Sequence, residues 1–268
     1  MPTIGLPERA TQNRVLTLFN KELGYRLLGD WSDRPNNSNV EADLLSNWLA
    51  QRGYSTVHIA RALDRLRTEA SNPSRSLYDN NQAVYSLLRY GVQVQAAAGE
   101  NAETVWLIDW KEPTQNDFAV AEEVTLHGKH ERRPDVVLYI NGIAVGVLEL
   151  KNSRVSIGHG IRQSISNQKP EFNAWFFSTV QFIFAGNDSE GLQYGTIDTG
   201  EKYFLKWKED EADNSRFKLD KYLLRMCNKA RLIVQIDPFN GRRLLDALKQ
   251  LQRITLSDKG FCWHLRRC

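Results

Sequence analysis

The apolar positions of this chain change their rhythm once. Up to about residue 90 they recur at three- and four-residue intervals, the period of helices with one buried face. From Val92 onward they alternate or run on in short blocks, as in strands. Val15, Leu16, Leu18, Phe19 and Leu23 predict a helix over 7–24. Leu44, Leu45, Trp48 and Leu49 predict a second over 40–52, and Ile59, Leu63 and Leu66 a third over 57–68, after a Gly53-Tyr54-Ser55 break in which Ser55 is placed to cap. A fourth, over 76–89, stops at Gly91. Residues 26–38, with Asp30, Ser32, Pro35 and two asparagines, read as a loop. Strands are expected at 92–95, 104–110, 118–126, 181–185, 192–197 and 203–207, with two more between 135 and 151 and one clear helix over 158–168. An acidic run over 209–214 reads as a solvated turn, followed by a helix at 219–227, a short strand at 232–236 and a helix at 242–254. Residues 1–91 are thus mainly helical and 92–208 mainly strands. That order argues for α/β in the broad sense, an α+β or mixed α/β domain with a largely antiparallel or mixed sheet.

The stretch from Arg133 to Lys151 carries the candidate chemistry. Asn141-Gly142 between two apolar runs is a strong signal for a β-hairpin. With a strict two-residue loop, position i pairs with 283 − i, so Asp135 falls opposite Leu148 and on the wrong face for Glu149. A three-residue loop, or a bulge near Gly146, is therefore predicted, because either would bring Asp135 and Glu149 onto one face. Alternation places Glu149 and Lys151 together above Val145 and Val147, with Leu148 and Leu150 on the other side. Two carboxylates and an ammonium converging in this way suit a hard cation such as Mg²⁺, which takes oxygen ligands and typically uses one or two carboxylates plus a substrate phosphate. Asp135 and Glu149 would be the ligands, with the Leu150 carbonyl as a third oxygen. Lys151 would orient the attacking water or neutralise charge building on phosphorus. The reaction so described is phosphodiester hydrolysis.

Charge adds a rim to this site. The net charge of +3 is mild, but His127, Lys129, His130, Arg132 and Arg133 crowd just before Asp135, and Arg154 and Arg162 follow Lys151. Residues placed like Lys129, Arg132, Arg133, Arg154 and Arg162 are candidates for contacts to DNA phosphates. Asp109-Trp110-Lys111 repeats the acid-x-Lys spacing at the end of another apolar run, but no Pro-Asp hairpin precedes it, so it reads as structural. Glu8, one turn before Gln12 on the first helix, is a supporting candidate, set against the ordinary role of a first-turn Glu facing the helix dipole. His58 reads as a surface or packing residue.

Composition narrows the class further. With 268 residues, 41% hydrophobic and 25% charged, the chain has the make-up of a globular protein with one sizeable core or two modest ones. No apolar run approaches the roughly 18 residues of a membrane span, and no secretion signal opens the chain. Cys227, Cys262 and Cys268 lie late and lack paired metal spacing, which points to free thiols in a reducing cytoplasm.

Pro134-Asp135 followed by Glu149-Leu150-Lys151, with 149 − 135 = 14, is similar to the PD-(D/E)xK nuclease signature. The surrounding text resembles the N-terminal nuclease domain of the R subunit of type I restriction-modification enzymes. The similar words run from Leu77 to Val94, through Val105 to Asp109 and Asn116-Asp117-Phe118, and on past the hairpin to Asn187-Asp188, Tyr194-Gly195 and Phe204 to Lys208. A lone Glu-x-Lys recurs by chance; the ordered set of flanking words carries the resemblance, over about residues 1–228. It implies a PD-(D/E)xK restriction-endonuclease-like core sheet flanked by helices, with an N-terminal helical segment. It also implies a Mg²⁺-dependent endodeoxyribonuclease, with Mn²⁺ as a laboratory surrogate, acting on double-stranded DNA beside modification and specificity subunits.

The family places a Gln on a helix beside the site, matched by Gln163 with 163 − 149 = 14, and a Tyr four residues later, where this chain has Asn167. Asn167 keeps a hydrogen-bonding amide but not the reach or aromatic face of Tyr. The family continues into an ATP-driven motor. Phe261-Cys262-Trp263-His264 is similar to the words before its phosphate loop, but no G-x-x-x-x-G-K-[ST] occurs, so ATP is expected to bind only in a full-length R subunit and 229–268 reads as linker. The alternative is a non-catalytic module that binds DNA or docks onto subunits.

Overall fold

The computed structural model describes residues 7–209, 212 and 214–237. Helix α1 spans Glu8–Lys21, followed by strand β1 at Arg26–Asp30 and helices α2 (Ala42–Gln51), α3 (Thr56–Ala70) and α4 (Leu77–Tyr90). Strands β2 (Val92–Val94) and β3 (Glu103–Val105) form a separate two-stranded ribbon. Next come β4 (Phe118–Glu122), β5 (Val136–Ile140), β6 (Ile143–Leu150), helices α5 (Ile157–Asn167) and α6 (Ala174–Phe177), and strands β7 (Phe182–Asn187), β8 (Gly191–Gly195) and β9 (Leu205–Lys206). Helices α7 (Lys218–Met226) and α8 (Lys229–Ile236) end the described chain. The expected caps are present. The Ser55 hydroxyl accepts from the His58 N–H, Ser76 and Asp79 form a reciprocal capping box, and Gly91 closes α4 with a positive φ of 74°.

Seven strands form one mixed sheet in the order β1-β4-β5-β6-β7-β8-β9. The pairs β4–β5, β5–β6, β7–β8 and β8–β9 are antiparallel, while β1–β4 and β6–β7 are parallel. A parallel neighbour needs a crossover, and α5 and α6 supply the one from β6 to β7. Both faces of the central hairpin are covered. Val136, Leu138, Ile140, Val145, Leu148 and Leu150 pack into a core shared with α1–α4, α7 and α8. Val137, Tyr139, Ala144 and Val147 pack under α5 and α6 through Ile157, Ile161, Phe176 and Phe177. Every residue of β5 and β6 is accordingly buried.

The hairpin bears out the predicted bulge. Asn141 and Gly142, at φ 54° and 82°, make a two-residue turn, and the pairs Ile140–Ile143 and Tyr139–Ala144 keep the 283 sum. The next pair is Leu138–Gly146, and the register continues as Val137–Val147 and Val136–Leu148, one residue displaced. Val145 is the extra residue. It turns to the same side as Leu148 and Leu150, so only Val147 lies beneath Glu149. The expectation for Val145 is corrected, because a bulge reverses the facing of everything before it.

Other boundaries differ for local reasons. Residues 26–30, expected as loop, form edge strand β1, which is held by pairing with β4 while its side chains stay largely exposed, so no buried face marks it; its irregularity at Gly29 further hides the period. Residues 232–236, expected as a strand, lie in α8, where Leu232, Ile233 and Ile236 face the core at helical spacing and Asn228 caps the Arg231 N–H. Of 104–110 only the first two residues are strand. Beyond them the Asn116 amide takes both the N–H and the carbonyl of Asp109 and draws the chain out of extended form. The strand expected over 118–126 ends at Glu122, and 201–203 is a 3-10 turn before the short β9. The helix expected at 242–254 and the Phe261–His264 words lie outside the described residues.

Candidate active site

The displaced register sets Asp135, just before β5, opposite Glu149, because 135 + 149 equals the 284 sum that the bulge creates. The backbone N–H of Leu150 donates to Asp135 Oδ2 at 2.6 Å, pinning that carboxylate across the open end of the hairpin. Glu149 is fully buried under α5. That helix runs beside β6, with Gly160 so near that an added Cβ would stand 3.4 Å from Glu149 Cβ and 3.5 Å from Lys151 Cγ. From α5, Gln163 Nε2 donates to Glu149 Oε2 at 2.8 Å, and Asn167 Nδ2 reaches Oε1 at 3.5 Å. Asn167 is fully buried, and its own carboxamide oxygen finds no hydrogen-bond partner. An Asn thus occupies the space without the reach to use both ends of its amide.

Lys151 completes the group. Its ammonium donates to the Leu150 carbonyl at 2.7 Å and lies 3.5 Å from Glu8 Oε1. Glu8 therefore does approach the site, from the first turn of α1. The other basic candidates are accounted for by other partners or by exposure. Arg133 pairs with Glu123 at 2.8 Å, Arg162 with Glu201 at 2.6 Å, and Arg132 stacks over Phe172 at 3.9 Å, while Lys129 and Arg154 are exposed. Asp109, the second acid-x-Lys position, pairs with Arg52 and accepts from the N–H groups of Lys111 and Glu112, a structural turn. His58 lies between Ser55 and Glu103, in a packing role.

Burial controls the electrostatics. It pushes the Asp135 carboxyl up from its ordinary 3.8 to about 6, opposed by the Leu150 N–H and the Lys151 charge and assisted by Glu8 and Glu123. Glu149 is raised well above its ordinary value, first by burial and then by the neighbouring Asp135. Two buried acids in contact resist sharing two negative charges, so a cation or a proton between them relieves both. This donor set fits a hard divalent ion: two carboxylates held by N–H and amide donors, and a main-chain carbonyl that already accepts from an ammonium. Among the described residues no group of three or more His, Cys, Asp or Glu side chains is arranged to hold an ion. Any cation here would therefore depend on the Leu150 carbonyl and on solvent or substrate oxygens as well.

Two features escaped the sequence. Gln12 is buried against Glu122, Glu123 and the Asp135 carbonyl. Arg14 on the same helix holds Asp188 after β7, with Asp220 of α7 at 3.0 Å. Nothing in the spacing of those distant segments signals either. Among the described residues no helix is long and apolar enough to cross a membrane.

The sequence also matches known proteins. A family model described as the type I restriction enzyme R protein N terminus matches residues 5–202. The type I restriction enzyme SsaAORF53P endonuclease subunit of Staphylococcus saprophyticus is 23% identical over 171 residues, covering 59% of this chain and 18% of that protein. The type I restriction enzyme HindI endonuclease subunit of Haemophilus influenzae is 26% identical over 151 residues, covering 52% and 14%. The chain spans less than a fifth of the length of these relatives. Since the family match takes in α1, the hairpin and α5 together, the chain belongs to the family of type I restriction enzyme R protein N termini.

Proposed function

We propose that this chain is a Mg²⁺-dependent DNA endonuclease domain, the cutting part of a type I restriction system that acts on foreign double-stranded DNA. The observation that carries the reading is the meeting of Asp135, Glu149 and Lys151 at the open end of one bulged hairpin, with α5 closing over Glu149. Asp135, Glu149 and the Leu150 carbonyl would hold the ion. Bound there, Mg²⁺ would lower the pKa of a water nucleophile and offset charge on the phosphate.

The chain's own groups do the rest. Gln163 fixes the rotamer of Glu149 and the Leu150 N–H fixes that of Asp135, so the carboxylates are held before substrate arrives. Lys151, within reach of the Leu150 carbonyl and Glu8, orients the attacking water or neutralises charge on the phosphorus centre. Lys129, Arg132, Arg133, Arg154 and Arg162 contact backbone phosphates and carry no sequence information, so target choice belongs to the specificity and modification subunits. The setting is the cytoplasm, residues 1–228 are the nuclease domain, and ATP serves only a full-length R subunit.

A second reading, a non-catalytic DNA-binding or subunit-docking module, draws on Asn167, whose contact to Glu149 is long and whose carboxamide oxygen is unpartnered. Calorimetric titration of Mn²⁺ into the wild-type chain, Asp135→Ala and Glu149→Ala separates the two. Binding by wild type alone, followed by cleavage of supercoiled DNA, supports the nuclease. Equal behaviour of all three chains, with DNA binding that survives excess chelator, supports the module.

A further inference from the structure

Gln12 takes part in none of the chemistry above, yet it is one of the most buried polar side chains of α1, 3% exposed. Its amide nitrogen stands 3.0 Å from Glu123 Oε1, 3.3 Å from Glu122 Oε2 and 3.4 Å from the carbonyl oxygen of Asp135. Two amide hydrogens thus serve three acceptors, which belong to the end of β4 and the chain just before β5. Glu123 has left-handed backbone, φ 51°, a shape that a residue with a Cβ keeps only when its surroundings hold it there. In that shape the Glu123 N–H donates to the same Asp135 carbonyl at 3.0 Å, and the Val124 N–H donates to Pro134 at 3.2 Å. Arg9, 2.9 Å from Glu122, and Arg133, 2.8 Å from Glu123, hold the outer side of the turn. Two donors therefore fix the main chain of Asp135, and Gln12 ties both to α1, the helix that brings Glu8 to Lys151.

We infer that Gln12 is a positioning residue for Asp135: it locks the Glu122-Glu123 turn against the start of β5 and so sets where the Asp135 carboxylate stands. The inference rests on the reading of Asp135 as a metal ligand. Removing the amide leaves the two carboxylates to Arg9, half-exposed and 2.9 and 3.4 Å from them, and takes away the buried donor that joins them to the Asp135 carbonyl. The left-handed residue then relaxes and takes the Asp135 carbonyl with it. A ligand displaced in this way loses affinity, as happens when hydrogen-bond partners behind a metal ligand are removed.

The test is calorimetric titration of Mn²⁺ alone into the full chain, read beside the thermal midpoint of each variant. Gln12→Met, close in volume but without donors, is expected to weaken Mn²⁺ binding about tenfold or more. Glu123→Ala should weaken it too, and the double variant should fall short of the product of the two losses, because both act through one contact. Gln12→Asn, whose amide is one methylene too short, carries the same expectation if Gln12→Met does not fold. Wild-type Mn²⁺ affinity in the Gln12 variants, with binding abolished in Asp135→Ala, overturns the inference and leaves the Asp135 reading standing. A lowered thermal midpoint with unchanged affinity marks a merely structural Gln12 and overturns it likewise. Identical titrations of wild type and Asp135→Ala remove the Asp135 reading itself, and this inference with it.

Discussion

Asp135 holds its proton up to about pH 6 in the folded chain, against an ordinary 3.8, because burial outweighs the Leu150 N–H and the Lys151 charge. The folded state therefore binds this proton more tightly than the unfolded chain does. The stability it confers is full below about pH 3.8 and is lost as pH rises through about 6, a swing of up to about 3 kcal/mol. Asp135→Asn can still accept the Leu150 N–H and carries no charge. It should raise the melting temperature at pH 8 by several degrees and change it little at pH 4; an equal gain at both values would mean that the site's charge is not the cause. Glu149 shifts in the same direction, so Mn²⁺ has two protons to displace and should bind more tightly at pH 7.5 than at pH 5.5 in matched calorimetric titrations. Lys151→Met removes the cation that the Leu150 carbonyl now accepts from, and should bind Mn²⁺ at least as tightly as wild type while failing to nick supercoiled DNA.

At the scale of elements, the turn of the hairpin and the docking of α4 set the frame for the site. Gly142 combines a φ of 82° with a position where a Cβ would stand 2.7 Å from Leu44 Cβ and 2.9 Å from the Glu41 carbonyl oxygen. Gly142→Ala therefore meets both backbone strain and a clash with the start of α2, and should cost on the order of 2–4 kcal/mol in a urea unfolding titration. Asn81 of α4 directs its amide at the carbonyls of Phe177, Ser178 and Val180, at 3.4, 3.1 and 2.9 Å. This single side chain fastens the helical layer to the segment between α6 and β7. Asn81→Ala leaves those carbonyls short of a donor and should cost about 1–3 kcal/mol by the same measurement.

Across the whole molecule, Arg14 ties the first helix to the end of β7 and to α7. Its guanidinium lies against Asp188, 2% exposed, and 3.0 Å from Asp220, and stacks over the Phe217 ring at 4.1 Å. Burial raises the Asp220 pKa, with Arg14 opposing it, so without Arg14 the acid keeps its desolvation and loses its partner. Arg14→Ala is expected to destabilise the fold by about 1–3 kcal/mol at pH 7, the partial exposure of the Arg14 side chain, 24%, tempering the loss. Because the uncompensated Asp220 carboxylate can then take up a proton, the penalty should shrink as pH falls toward 4, which guanidinium titrations at pH 7 and pH 4 would show. A penalty independent of pH would assign the effect to packing on Phe217 instead.

The sequence by itself determined the helices-then-strands order, the hairpin with its one-residue displacement, and the meeting of Asp135 with Glu149 and Lys151. The order follows from periodicity within elements and the turn from the backbone demands of Asn-Gly, while the displacement follows because the parity of a two-residue turn alone would set Asp135 against Leu148 and part the two acids. Gln163 and Asn167 were legible only through resemblance, since nothing local says that α5 lies over β6. Tertiary structure decided what depends on pairing at a distance. Arg26–Asp30 became a strand because β4 offered an open edge, and 232–236 became helix because its apolar residues met the core on one helical face. Gln12 found Asp135 across 123 positions of sequence and Arg14 found Asp220 across 206. Such contacts are fixed by how whole elements pack, and a side chain carries no local mark of the partner that packing will bring to it.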